Sequence, residues 1–335
     1  MSPFVPILLT LAAFLLDCLL GDPQNWPHPV RLIGRLIVVG EKACRRISAR
    51  LSGSDVTLLV LGGFLTFGAV AVSALTVYVS LALFGSIGGA LWFVLVLYLC
   101  FTTFCLKDLL THVRRVEGHL AASRLNEARR SLSWIVGRDT AHLDEPAVRR
   151  ALIETMAENF ADGVVAPLLY LALGGPVLAY VYKAVNTLDS MVGYKNEQYL
   201  HLGRASARLD DLMNFVPARI AALLLIAGAR LTGLDHKKAY ALWRKEGRFH
   251  SSPNSGQTEA AMAGAIGVYL GGPSLYAGQI VVKPTLGEGL NEAAAESVRQ
   301  AAGLVRLSAV LGLLLGFVLE ALMILILSTP WGWGF

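Results

Sequence analysis

Glu154, Glu158 and Asp162 recur every four residues in Glu154-Thr-Met-Ala-Glu158-Asn159-Phe-Ala-Asp162-Gly163. On an α-helix that spacing lines three carboxylates along one face. Acids so placed repel one another unless a cation stands among them. A carboxylate at a helix C-terminus is also disfavoured by the helix dipole. Mg²⁺ would relieve both, because it takes one or two carboxylates together with phosphate oxygens and water. The alternative is a solvated acidic face in which Arg150 pairs with Glu154.

Three further clusters carry polar chemistry. Lys183, Asn186, Thr187 and Ser190 share a helical face, with Asp189 between them and Lys195 just beyond. Hydrogen-bonding groups at that density beside apolar chain are costly unless a pocket or ligand satisfies them; an interfacial helix with snorkelling lysines is the plainer reading. Arg204, Arg208, Asp210, Asp211 and Asn214 form the next group, readable as an anion site or as an Arg208–Asp211 pair at i,i+3. Then comes Ser251-Ser252-Pro253-Asn254-Ser255-Gly256, opening a helix at Gln257-Thr258-Glu259. Such a turn can offer backbone N–H groups to a phosphate, and the small residues from Ala260 to Gly267 allow close approach of a ligand. A capped turn followed by a tight helix–helix contact explains the same residues. The turn is no Walker A loop, since Gly-x-x-x-x-Gly-Lys-[Ser/Thr] is absent from the chain. Near the start, Gly21-Asp22-Pro23-Gln-Asn-Trp26-Pro27-His28-Pro29-Val30-Arg31 is a rigid turn whose His28 and Arg31 either bind an anion or simply fix the chain. Glu320 lies inside an apolar segment, protonated or packed against a neighbouring helix.

A membrane must position these residues. Of 335 residues, 55% are hydrophobic and 16% charged, with a mean hydropathy of +0.56. Soluble domains carry about 25% charged residues. No Asp, Glu, Lys or Arg occurs from Val56 to Leu106. Soluble, disordered and fibrous classes are excluded. The four cysteines include no Cys-x-x-Cys pair and read as apolar side chains rather than zinc or redox groups. Spans are expected at roughly 4–20, 58–84, 88–106 and 306–328, and Trp331 and Trp333 would sit in an aromatic belt. Every Lys and Arg lies between Arg31 and Arg306, so 31–50 and 107–305 are expected on the cytoplasmic side and both termini outside. Gly163–Tyr182 is interrupted by Pro167 and Gly174-Gly175-Pro176, and Ala218–Leu231 falls short of the about 20 residues a crossing needs. Both read as re-entrant or packed hairpins lining a polar pocket. The stretch 107–162 reads as helical throughout, with Asp144-Glu145-Pro146 as a helix start. The fold class is an all-α integral membrane protein, one polytopic domain over 1–335 with a cytoplasmic and re-entrant region at 107–305.

The motifs resemble the adenosylcobinamide-phosphate synthases of cobalamin biosynthesis (CobD/CbiB). The matching segments are GDPQNWPHPVRLIGRLI at 21–37, TMAENFADGVVAPLLY at 155–170, YKAVNTLDSMVGYKNEQY at 182–199, SARLDDLMNFVPARI at 206–220 and SSPNSGQTEAAMAGAIGV at 251–268, in the family's order. Phe160 departs from the pattern, and the chain after Gly272 matches it less closely. The resemblance implies a multi-pass ligase of the bacterial inner membrane with its site facing the cytoplasm. With ATP and Mg²⁺ it would join adenosylcobyric acid to (R)-1-amino-2-propanol O-phosphate or ethanolamine phosphate. With that resemblance, Glu158, Asp162 and Asp189 are the candidates for Mg²⁺, and Lys183, Asp210 and Asp211 for catalysis, Asp210 or Asp211 accepting the amine's proton. Substrate or phosphate contacts would fall to His28, Arg31, Asn159, Asn186, Ser190, Lys195, Arg208, Asn214, Ser252, Asn254, Ser255, Gly256 and Glu259. The small-residue helix 260–267 would give room to the corrin ring. Expected partners are the lipid bilayer, the two substrates and other late enzymes of the pathway, with a homo-oligomer compatible and nucleic acid excluded. A non-catalytic membrane scaffold for corrinoid enzymes, or a corrinoid or small-anion transporter, is the competing class.

Overall fold

A computed structural model describes residues 4–22, 26–51, 53–250, 252–276 and 278–327. Trp331, Trp333, Pro23 to Asn25 and Ser251 lie outside the described residues. In chain order the helices are α1 (Val5–Leu20), α2 (Pro29–Leu51), α3 (Asp55–Ile87), α4 (Gly89–Phe101), α5 (Leu106–Ala121), α6 (Leu125–Leu132), α7 (Glu145–Phe160), a π-helical turn (Ala161–Val165), α8 (Ala166–Val192), α9 (Arg204–Met213), α10 (Phe215–Thr232), α11 (His236–Glu246), α12 (Ser255–Ile266) and α13 (Ala295–Leu327). Between α12 and α13 lie two small antiparallel ribbons, β1 (Leu270–Gly271) with β4 (Thr285–Leu286), and β2 (Ser274–Tyr276) with β3 (Gln279–Val281). The all-α reading holds.

Among the described residues, four helices are long and apolar enough to cross a membrane: Asp55–Ile87, Glu145–Val192, Phe215–Thr232 and Ala295–Ile326. The 4–20 segment is a 16-residue helix, short of the about 20 residues of a full crossing. The 88–106 segment is interrupted: α4 stops at Phe101 and α5 starts at Leu106, which by length and composition is a broken span or a re-entrant loop. At the end of α4 the Thr102 and Thr103 hydroxyls bond back to the Tyr98, Leu99 and Cys100 carbonyls. The segment 218–231, expected as a packed hairpin, belongs to an 18-residue helix that starts at Phe215 and so meets the length of a crossing. Likewise 163–182 is embedded in the long helical stretch 145–192.

Within that stretch the two expected interruptions behave differently. Pro167 does not break the helix. It has no N–H for the Gly163 carbonyl, which instead accepts the Cys105 N–H at 3.2 Å. The wider π turn directly before it accommodates the ring. At Gly174 and Gly175 the backbone does leave helical geometry; Gly175 has φ of 60° and ψ of −161°, a conformation that side chains resist, and Pro176 restarts the helix.

The contacts divide the chain into two compact units. The first comprises Met1–Phe104, Ala166–Met213 and Leu315–Phe335, the second Cys105–Val165 and Asn214–Leu314. In the first, α3 is the centre, packed by α2, α4, α8 and α9. In the second, α12 is central and carries an unbroken run of buried small residues against α10, α11 and α7. The 107–162 stretch is helical in three pieces rather than throughout, with an irregular segment between α6 and α7. Asp144 caps α7 as expected, its side chain accepting the Ala147 N–H at 2.9 Å.

Candidate functional site

The strongest convergence of charged side chains lies in the second unit. A cavity with about 430 Å³ of empty space, its open mouth included, is lined by Arg138, Glu154, Glu158, His250, Glu259, Tyr276 and Lys283. Six different segments deliver them. α7 supplies both Glu154 and Glu158, one helical turn apart, and α12 supplies Glu259. The remainder come from the α6–α7 link, the approach to α12, β2, and the chain between β3 and β4.

Glu154 is fully engaged: it pairs with Arg138 and accepts the Gly271 N–H at 2.7 Å. Burial opposes the charge on Arg138, but Glu154 outweighs it and raises the Arg138 pKa. Glu158 accepts the Ser255 hydroxyl at 3.1 Å. Glu259 is 5% exposed, and its nearest charged partner is His250 Nε2 at 3.9 Å; no hydrogen bond reaches its carboxyl among the described residues. Burial first, then Glu154 and Glu158, push its pKa well above the ordinary Glu value. His250 Nδ1 accepts the Ser252 N–H at 3.1 Å, which leaves Nε2 to carry the proton of the neutral ring. Burial, with help from Lys283, lowers the His250 pKa. Lys283 stands 5.1 Å from the centre of the Tyr276 ring, and Tyr276 and Glu259 raise its pKa against the effect of burial.

The three acids expected on one helical face therefore part company. Arg150, expected as the plain partner of Glu154, instead hydrogen-bonds the Tyr269 hydroxyl at 2.9 Å. Asp162 falls in the π turn and is not among the residues that line the cavity. Among the described residues no group of three or more His, Cys, Asp or Glu is placed to hold a metal ion. Asn159 turns back to bond the Thr155 carbonyl at 3.0 Å. In the Ser252–Gly256 turn, the Ser252 hydroxyl accepts the N–H groups of Asn254 and Ser255, each at 3.3 Å. Asn254 Oδ1 also meets the Arg219 guanidinium at 3.5 Å. At Gly256 a Cβ would lie 2.5 Å from His250 Cβ and 2.7 Å from the Gly247 carbonyl oxygen, so packing alone requires glycine there. Asn214, 1% exposed, precedes α10. The small residues of α12 are covered by α10 and α11, so they serve close helix packing and leave no room for a corrin ring on those faces.

The first unit holds the remaining candidates in two groups. His28 Nε2 lies 3.7 Å and Arg31 Nη2 3.9 Å from Asp22 Oδ1. Burial, then Arg31 and Lys183, lower the His28 pKa against the pull of Asp22. Asn186 donates to Asp210 Oδ1 at 3.4 Å. Burial raises the Asp211 pKa, with Lys195 opposing. Ser190 and Thr187 bond back to the carbonyls of their own helix. Asp189 sits a turn before Gly193, whose N–H bonds the Asp189 carbonyl at 2.8 Å. Lys195 and Arg208 are exposed.

Arg138, His250, Tyr276 and Lys283 were not legible as site residues. Each stands alone in its own loop or ribbon, and only tertiary packing gathers them. The one sequence signal was a lysine closing the apolar run Ile280-Val-Val.

Helices able to cross a bilayer, together with a mixed-charge cavity built from helix ends and loops, define an integral membrane protein with a polar cavity. The chain belongs to the CobD/CbiB family, whose model, described as CobD/Cbib protein, matches residues 10–305. A relative from Geobacter metallireducens, "Cobalamin biosynthesis protein CobD", is 50% identical over 301 residues, covering 89% of this chain and 91% of its own. The Photorhabdus laumondii protein of the same name is 43% identical over 313 residues, with 93% and 97% coverage. "Cobalamin biosynthesis protein CbiB" of Salmonella choleraesuis is 41% identical over 309 residues, with 92% and 96% coverage. No solved structure matches the chain.

Proposed function

We propose that this protein acts in cobalamin biosynthesis as an ATP-dependent ligase of the bacterial inner membrane, its site facing the cytoplasm. It would join a carboxyl of adenosylcobyric acid to the amine of (R)-1-amino-2-propanol O-phosphate, or of ethanolamine phosphate, giving adenosylcobinamide phosphate. Support comes from the family match and the relatives' names. In the chain itself the supporting observation is the cavity where buried carboxyls and cations converge.

A carboxylate is a poor acyl donor, so ATP would activate it. Mg²⁺ would neutralise charge on the transferring phosphoryl group. A nucleotide-borne Mg²⁺ takes only one or two protein carboxylates. Glu158 and Asp162 in the second unit and Asp189 in the first are the candidates. Lys183, Lys195 and Arg208 would meet phosphate groups. Asp211, its carboxyl held up by burial, is closer to a working general base than an exposed Asp, and Asp210 beside Asn186 is the alternative acceptor.

Purified protein given adenosylcobyric acid, aminopropanol phosphate, Mg²⁺ and ATP should yield a corrinoid heavier by the amino phosphate minus one water. The product, read by mass spectrometry, should appear only with ATP. A folded, corrinoid-binding preparation that forms none would overturn the ligase and favour a scaffold or transporter.

A further inference from the structure

We propose that α2 docks lengthwise on an anionic lipid leaflet, where a stripe of free cations meets the phosphates of several lipid headgroups. The inference does not depend on the ligase reading.

α2 presents three faces. Ile33, Ile37, Cys44 and Ser48 are buried where α3 and α8 pack. The Cys44 thiol donates to the Leu61 carbonyl at 3.5 Å. That bond fixes α2 beside an apolar helix whose Val60 and Phe64 stay exposed. Next to the buried face runs an apolar flank: Leu32 is 62% and Val39 66% exposed, and Ile47 continues the line. The third face carries Arg35, Lys42 and Arg46, all exposed. Seven and four residues apart, they form one stripe.

Nothing within the first unit neutralises that stripe. The one acid of α2, Glu41, is taken by Arg45 at 2.8 Å, and Arg45 also donates to the Gln198 carbonyl at 3.0 Å. Arg31 reaches the Trp26 carbonyl at 3.4 Å and Asp22 at 3.9 Å. Among the described residues Arg35, Lys42 and Arg46 make no hydrogen bond or ion pair. A helix with an exposed apolar flank beside a basic stripe fits the boundary between acyl chains and headgroups, the flank entering the chains and the cations reaching the phosphates. A soluble polyanion would leave Leu32 and Val39 in water. A single small phosphate could not bridge Arg35 and Arg46, about 16 Å apart at 1.5 Å per residue.

The test titrates the full chain, purified in detergent micelles, with phosphatidylglycerol or phosphatidylcholine and counts bound lipids by native mass spectrometry. Wild type should bind phosphatidylglycerol at least about ten-fold more tightly. Arg35→Gln, Lys42→Gln and Arg46→Gln together should abolish that preference, since each cation near an anionic surface contributes roughly five-fold. Lys42→Gln alone, expected to weaken phosphatidylglycerol about five-fold, carries the test should the triple variant misfold. Arg35→Lys with Arg46→Lys keeps the charge and should keep the preference. Glutamine at Arg124, Arg130 and Lys237, three exposed cations elsewhere, should leave it unchanged. Equal affinity of wild type for the two lipids would overturn the proposal. So would an equal loss in that second triple variant, which would make net charge the cause. Displacement of bound phosphatidylglycerol by excess glycerol phosphate would assign the stripe to a soluble phosphate and overturn the leaflet.

Discussion

At the scale of single residues, a carboxyl placed among other carboxyls and away from water holds its proton longer than one in solvent. Burial, then Glu154 and Glu158, raise the Glu259 pKa well above its ordinary value. The folded chain therefore binds a proton there that the unfolded chain has already released, and stability depends on pH. The contribution is fully present below the ordinary Glu pKa and is lost as pH rises through the raised value. Its slope is at most about 1.4 kcal/mol per pH unit. His250 acts in the opposite sense. Its pKa is lowered by burial and by Lys283, so its contribution is present above the ordinary His range and lost as pH falls through the lowered value. Subtracting Glu259→Gln from wild type isolates the first effect, because Gln keeps the shape and cannot ionise. Thermal unfolding in detergent from pH 5 to pH 9 should show wild type losing stability relative to the variant as pH rises. Parallel curves would mean that Glu259 ionises normally.

At the scale of elements, the side chain that α12 aims into the cavity depends on how closely α12 lies against α11. A Cβ at Gly264 would come within 2.6 Å of both the Ala239 Cα and the Lys238 carbonyl oxygen, so backbone stands where a side chain would go. Gly264→Val should destabilise by about 1–3 kcal/mol, the usual cost of overpacking. Gly303 on α13 is the counterpart, with no atom within 4 Å of a built Cβ. Gly303→Ala should be neutral or stabilising by up to about 1 kcal/mol; equal losses at both positions, read by thermal unfolding, would discount the close approach. The run of small residues in α12 was visible in the sequence as either ligand room or tight packing, and only the neighbouring helices decide for packing. The π turn was not visible, because a period of four residues was assumed through Asp162. Its signals were local, a glycine at 163 and a proline at 167. The cavity residues from loops had no shared pattern to be read at all.

At the scale of the whole molecule, hydropathy is legible because a bilayer demands it of every lipid-exposed residue. Which side of the membrane each loop occupies follows from combining charge with contacts in the first unit. α3 is 33 residues long and apolar, and Ser86 lies in its last turn. At its other end, His201 Nε2 lies 3.5 Å from Asp55 Oδ2, and Arg45 donates to the Gln198 carbonyl at 3.0 Å. With α3 across a bilayer, the end of α2 and the loop before α9 would lie on one side and Ser86 on the other. Because α2 is rich in Arg and Lys while the α3–α4 turn has neither, the first side should be cytoplasmic. Single cysteines at Arg50, Glu197 and Ser86, all exposed, can be probed with a membrane-impermeant maleimide. The four native cysteines are buried or half-buried, and the unsubstituted chain gives the background. Ser86→Cys should label in intact cells, and Arg50→Cys and Glu197→Cys only after permeabilisation. The reverse pattern would put the first unit's candidate residues, Lys195 and Arg208 among them, outside the cell, away from any supply of ATP. Labelling of all three from one side would mean that α3 does not cross.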